Sequence, residues 1–265
     1  MLRRLFLLGL LLCVTVASVI GLTAAGAKAD IIAESVVYEI EGQPYEGYFA
    51  LNTGFGDQQP VVLLVHDWDG IDEYEQRRVQ MLAERGYAAF AVDLYGQGVR
   101  PTTTEEAQAQ SGKLYGDRVA MRQRLFAGLA QAQGMAGVDP EKVVAIGYCF
   151  GGASVLEFAR AGADLDGFVS FHGGLETPEG QDYSAVTGSL LILHGSDDPV
   201  APMTQVAALA DQLNTAGVDY DMEVYGGARH AFTVWTADRE SSRYNAKADI
   251  QSWNALMTFL EKSLS

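Results

Sequence analysis

Short apolar or alternating runs recur along the chain, separated by longer stretches whose apolar residues fall three and four apart. The short runs predict strands at Val36–Ile40, Tyr45–Leu51, Val61–Val65, Ala88–Val92, Val143–Gly147, Gly167–Phe171, Leu190–His194 and Tyr220–Val224. The longer stretches predict helices over Glu75–Arg85, Glu105–Gln133, Gly151–Ala161, Met203–Ala216 and Asn245–Lys262. After two hairpin-like opening strands the two patterns alternate. That order implies a mostly parallel central sheet of about eight strands with helices on both faces. No repeat, charge block or Pro/Ser-rich linker interrupts it, so residues 30–265 read as a single α/β domain.

The first residues follow a different pattern. Met1-Leu2-Arg3-Arg4 opens a long apolar stretch that closes on small residues at Ala27 and Ala29. A basic start, an apolar centre and an Ala-x-Ala ending predict a signal peptide over residues 1–29, cleaved after Ala29. The stretch is also near the length of an uncleaved membrane anchor, which is the competing reading. Either one places the domain outside the cytoplasm, in the periplasm or secreted. Removing residues 1–29 removes Arg3, Arg4 and Lys28 and no acid, taking the net charge from −16 to −19. Such a surface repels phosphate backbones and anionic lipid, which argues against nucleic acid, and against membrane contact beyond export.

Of the two cysteines, Cys13 falls in the predicted signal and Cys149 is left alone. A lone thiol in an oxidising compartment is either inertly buried or reactive. Its neighbours favour reactivity. The strand Val143–Ile146 runs into Gly147-Tyr148-Cys149-Phe150-Gly151-Gly152 and then a helix. This is a Gly-x-nucleophile-x-Gly elbow with cysteine in place of serine: a sharp turn that needs glycines beside it and aims the nucleophile at a helix N-terminus.

Two further segments supply an acid and a base, each at the end of a strand, where parallel sheets place their ligands. Leu190–Leu193 leads into Gly195-Ser196-Asp197-Asp198, and Tyr220–Tyr225 leads into Gly226-Gly227-Ala228-Arg229-His230. The order Cys149, Asp198, His230 fits an α/β-hydrolase, with His230 as the base and Asp198 orienting it. Asp197 is the alternative acid, although the Gly-x-x-Asp turn favours Asp198. His66, His172 and His194 also end strands and read as hydrogen-bonded structural residues. No histidine or cysteine spacing suits a metal, and no cofactor is implied.

After Val61–Val65 comes His66-Asp67-Trp68-Asp69-Gly70. The Trp68 N–H and that of Phe150 are expected to form an oxyanion hole, which puts Asp67 beside Cys149. Asp67 also reads as a cap for the following helix.

These motifs resemble the dienelactone hydrolase family of α/β-hydrolases: Gly147 to Gly152, His66-Asp67-Trp68-x-Gly70, Val92-Asp93-Leu94-Tyr95, the Asp198 turn and Gly227-x-x-His230-x-Phe232. The resemblance implies a triad of Cys149, Asp198 and His230 with Trp68 and Phe150 as oxyanion donors, and a pocket including Tyr95, Gln97, Tyr115, Phe232 and Val234. It also implies departures. Members usually carry a glutamate that contacts the resting thiol, where this chain has the shorter Asp67. The two arginines that hold a substrate carboxylate in studied members fall at Gln97 and Val234, with Arg100, Arg229 or Arg239 as candidates to replace them. Each charged hydrogen bond lost removes roughly 1.5–3 kcal/mol, so a neutral ester or lactone is the expected substrate. The segment from Arg100 to about Asp117 is expected to cover the site. Two other functions fit less well: a non-catalytic small-ligand binding protein on the same fold, and a thiol sensor, for which no resolving cysteine is present. Oligomeric state is not legible.

Overall fold

The computed structural model describes residues 30–265; the expected signal peptide lies outside the described residues. Eight strands form one sheet: β1 (Ile31–Ile40), β2 (Gln43–Asn52), β3 (Gln59–Val65), β4 (Ala88–Val92), β5 (Val138–Tyr148), β6 (Gly167–Phe171), β7 (Ser189–Gly195) and β8 (Tyr220–Tyr225). Their order across the sheet is β1-β2-β4-β3-β5-β6-β7-β8, with β1 and β2 antiparallel to their neighbours and the others parallel. The opening hairpin therefore extends one edge, and β3 and β5, which carry the Asp67 turn and Cys149, sit in the middle.

Side chains alternate across the buried strands, so one β3 run feeds two cores. Val61, Leu63 and Val65 face one side with Leu125 and Leu156, while Val62 and Leu64 face the other with Leu82 and Leu260. The first layer is built by α2 (Thr104–Gly116), α3 (Arg118–Gln133), α4 (Phe150–Arg160) and α5 (Met203–Ala216). The second is built by α1 (Glu73–Ala83) and α6 (Ala246–Ser263). Among them α4 is buried along its whole length, as a helix leaving the sheet centre must be.

The expected single helix over Glu105–Gln133 is two. Asp117, with φ −129° and ψ 81°, breaks the turn, and its carboxylate accepts the Ala120 N–H at 3.0 Å to start α3. A second cap sits at the front of α2, where Thr103 and Glu106 bond each other's backbone N–H groups. The strand expected at Val36 begins five residues earlier, because Ile31–Ser35 pair with β2 along an exposed edge and need no hydrophobic alternation to do so.

Candidate active site

The turn between β5 and α4 is a single residue, Cys149, at φ 53° and ψ −111°. Only close packing on both sides holds so strained a conformation. A Cβ on Gly147 would stand 2.2 Å from Gly151 O, and one on Gly151 would stand 2.1 Å from Val65 O. The glycines thus let α4 start directly above the end of β3.

Cys149 Sγ lies 3.0 Å from His230 Nε2, and His230 Nδ1–H donates to Asp198 Oδ2 at 2.9 Å. Asp198 is fixed in turn by its other oxygen, which accepts the N–H groups of Val200 and Ala201 at 2.8 and 3.0 Å. The loops after β7 and β8 are pressed together to allow this. A Cβ on Gly195 would fall 2.4 Å from Ala228 O. Asp197 instead takes the Ser196 hydroxyl at 2.9 Å.

Electrostatics follow the contacts. Burial works against a charge on His230, but a negative Cys149 and the hydrogen bond to Asp198 outweigh it and push the imidazole up to about 10. Burial would likewise raise the Asp198 carboxyl, yet its hydrogen bond with His230 and the charge there hold it below the usual range. The two shifts are those of a buried imidazole and carboxylate that stabilise each other's charged forms.

The other three histidines are buried, and burial lowers each of them. His66 accepts the Leu94 N–H at Nε2 and donates from Nδ1 to Asp67 O. His194 donates to Ala201 O at 2.7 Å. His172 accepts the backbone N–H of Cys149 at 3.2 Å and contacts Thr233 Oγ1 at 2.7 Å.

Tyr95 Oη donates to Trp68 O at 2.9 Å and fixes the turn after β3. The Trp68 N–H has no acceptor among the described residues. Phe150 opens α4, so its N–H lies ahead of the intrahelical ladder. Asp67 does not cap α1; Asp72 does, accepting the Tyr74 N–H at 2.6 Å. Asp67 takes the Asp69 N–H at 3.1 Å, and its own N–H donates to Glu75 at 3.3 Å. Burial, then the Glu75 charge, then Asp69, raise the Asp67 carboxyl well above its ordinary value, and a charge on Cys149 adds to this. The fully buried Glu75 is a neighbour that sequence reasoning passed over; the capping-box spacing Asp72-x-x-Glu75 is the signal that marks it.

Two cavities open among the loops around the Cys149–His230 pair, although neither Cys149 nor His230 lines either of them. One, about 310 Å³, is lined by Asp67, Trp68, Thr104, Val234, Asp238 and Arg239 among others. The second, about 330 Å³, is lined by Tyr115, Arg118, Ala153, Gly174 and Val200 among others. The helix α2 borders both, Thr104 at one end and Tyr115 at the other, so the expected cover is a helix across the site. Of the expected pocket residues, Val234 and Tyr115 line these cavities, and Tyr95 supports the wall behind Trp68. Gln97 is exposed, with its N–H on Pro44 O, and lines neither cavity. Phe232 is fully buried against His172 and Tyr225 and is a core residue. Among the arginines, Arg100 is spent on the backbone carbonyls of Glu46 and Val99, and Arg229 on that of Glu240. Arg239 lines the first cavity, donates to Thr104 Oγ1 at 3.2 Å and lies over the Trp68 ring.

A parallel sheet with a strained elbow at its centre and a histidine and aspartate at its later strand ends defines an α/β-hydrolase. The chain belongs, more narrowly, to the dienelactone hydrolase family, whose profile matches residues 45–264. A putative carboxymethylenebutenolidase of Synechocystis sp. is 28% identical over 232 residues, covering 82% of this chain and 92% of the relative. The solved structure of a dienelactone hydrolase-like promiscuous phosphotriesterase from metagenomic libraries superposes with a TM-score of 0.83 at 31% identity, covering 89% and 99% of the two chains. A putative dienelactone hydrolase from Klebsiella pneumoniae shares the fold at a TM-score of 0.76 and 21% identity, covering 88% and 99%. The family supports a hydrolase acting on small esters or lactones.

Proposed function

We propose that the protein is an exported hydrolase of small carboxylic esters and lactones that works through an acyl-cysteine intermediate on Cys149. The observation that carries the reading is the continuous line from Cys149 Sγ through His230 to Asp198, at 3.0 and 2.9 Å. A sulfur carrying negative charge, paired with the His230 imidazolium, attacks the ester carbonyl carbon. The carbonyl π electrons move to oxygen, and the Trp68 and Phe150 N–H groups hold the oxyanion. As the carbonyl re-forms, the carbon–oxygen bond to the alcohol breaks and His230 Nε2 gives that oxygen its proton. Neutral His230 then takes a proton from water as the water oxygen attacks the thioester. Collapse of the second tetrahedral intermediate frees the carboxylic acid and returns the sulfur to its pair with protonated His230. Asp198 keeps the imidazole in one tautomer and orientation throughout.

The test is hydrolysis of p-nitrophenyl acetate and simple lactones by the wild type and by Cys149→Ala. Turnover confined to the wild type is expected, and equal rates from both end the proposal. A phosphotriester belongs in the same panel, because one relative is described as a promiscuous phosphotriesterase.

A further inference from the structure

Among the described residues four non-glycines have positive φ, and three of them, Cys149, His172 and Ala231, cluster where the elbow meets the loop carrying His230. The strain at Cys149 belongs to the elbow. His172 is different: it directly follows β6, outside the line from sulfur to carboxylate, and yet is held at φ 39° with no exposed surface. A bulky side chain in that region is an outlier that asks for a cause.

Its hydrogen bonds supply one. The ring nitrogen Nδ1 accepts the backbone N–H of Cys149 at 3.2 Å, an N–H that also reaches Phe171 O at 3.0 Å. Since Nδ1 accepts, a neutral ring carries its proton on Nε2, which donates to Thr233 Oγ1 at 2.7 Å. The Thr233 hydroxyl then donates to Tyr74 Oη, also at 2.7 Å. Thr233 stands three residues after His230, and its carbonyl accepts from the buried Arg78 guanidinium at 2.9 Å. The His172 ring itself packs edge-on against His230, with centroids 5.4 Å apart. One imidazole thus spans from the backbone of Cys149 to the loop that carries His230.

We infer that His172 is a positioning residue that sets the distance between Cys149 and His230 by tying the nucleophile's own amide to Thr233. The inference rests on the proposed role of Cys149. The β6 turn, bent into positive φ, brings Nδ1 under the elbow, and the Nε2 bond locks the loop against it. Slack in this tie shifts sulfur and imidazole relative to each other, and a displacement near 1 Å costs up to about 100-fold in rate.

The experiment compares His172→Leu, His172→Asn and Thr233→Val with the wild type by kcat and KM on p-nitrophenyl acetate and by the pH profile of Cys149 alkylation with iodoacetamide. Leucine keeps bulk and removes both hydrogen bonds. Asparagine keeps an acceptor near the Nδ1 position and tolerates positive φ. The inference expects kcat to fall about 10- to 100-fold in His172→Leu with KM nearly unchanged, the alkylation profile to move with it, and both to recover partly in His172→Asn. Thr233→Val, which leaves the β6 turn untouched, is expected to move the profile in the same direction as leucine. Should leucine fail to fold, the asparagine and valine variants decide. Alkylation profiles that overlay the wild type in Thr233→Val, or equal losses in the leucine and asparagine variants, overturn the inference. Wild-type turnover tests the proposed function separately, and alkylation reads the tie whether or not an ester is turned over.

Discussion

Glu75 Oε1 accepts the backbone N–H of Asp67 at 3.3 Å, so the first turn of α1 is joined to the turn that carries Trp68, and the carboxyls of both residues are buried. Glu75 also accepts the Asp72 N–H at 3.1 Å. Burial, then the Asp72 charge, raise the Glu75 carboxyl, and burial, then the Glu75 charge, raise that of Asp67. A carboxyl raised in the folded state contributes stability that is fully present below its unfolded value of about 4 and is lost as pH rises through the folded value. The melting temperature is therefore expected to fall over the interval that opens above about pH 4. Glu75→Gln, which keeps one acceptor and removes one of the charges, should make that fall shallower in a thermal melt series across the interval.

Asp198 is predicted to matter through orientation more than through fold. Asp198→Asn keeps the size of the side chain and one oxygen for the Val200 and Ala201 N–H groups, but it loses the charge facing Nδ1. The expected result is a kcat lower by about 10²- to 10⁴-fold on a p-nitrophenyl ester, with KM nearly constant and an unchanged far-UV spectrum.

The pH dependence of His230 has the opposite origin from that of the carboxyls. Its folded value is about 10, against about 6.5 in an unfolded chain. It thus contributes stability that is fully present below pH 6.5 and disappears as pH climbs toward 10. His230→Gln should flatten the stability profile between those limits, and urea titrations at pH 6.5, 8 and 9.5 measure it.

Glu157 holds three arginines together. It is fully buried and accepts from Arg160 at 2.8 Å, Arg122 at 2.7 Å and Arg118 at 3.3 Å. Burial opposes its charge, but Arg160 and then Arg122 hold its carboxyl below the usual range. Glu157→Gln leaves guanidinium charge uncompensated at the junction of α3 and α4, including Arg160 with its side chain only 2% exposed. A loss of about 3–5 kcal/mol is expected from urea unfolding. Arg118 and Arg160 also line the second cavity, so KM for esters with longer acyl chains should rise as well.

What was legible in the sequence was whatever local pattern decides. The apolar runs mark all eight strands, and the Gly147-x-Cys149-x-Gly151 spacing marks the elbow because a Cβ on either glycine would come within 2.2 or 2.1 Å of a backbone oxygen. The break at Asp117 was hidden, since one capping aspartate interrupts a stretch whose amphipathic spacing otherwise runs on. The fates of Gln97 and Phe232 were hidden for another reason. Position relative to a motif does not say which way a side chain turns, and Phe232 faces the core two residues from a histidine that faces the site. His172 and Glu157 depend on partners 61 and 39 residues away, which no local spacing reveals.

The most direct measurement of the central claim is the mass of the enzyme itself during turnover. The protein is mixed with a p-nitrophenyl ester of a slowly hydrolysed acid, quenched in acid within the first turnover, and digested. The account predicts an acyl group on the peptide containing Cys149, equal in amount to the p-nitrophenol burst, and neither adduct nor burst in Cys149→Ala. Turnover with the acyl group on another residue, or a burst that survives in Cys149→Ala, would contradict it.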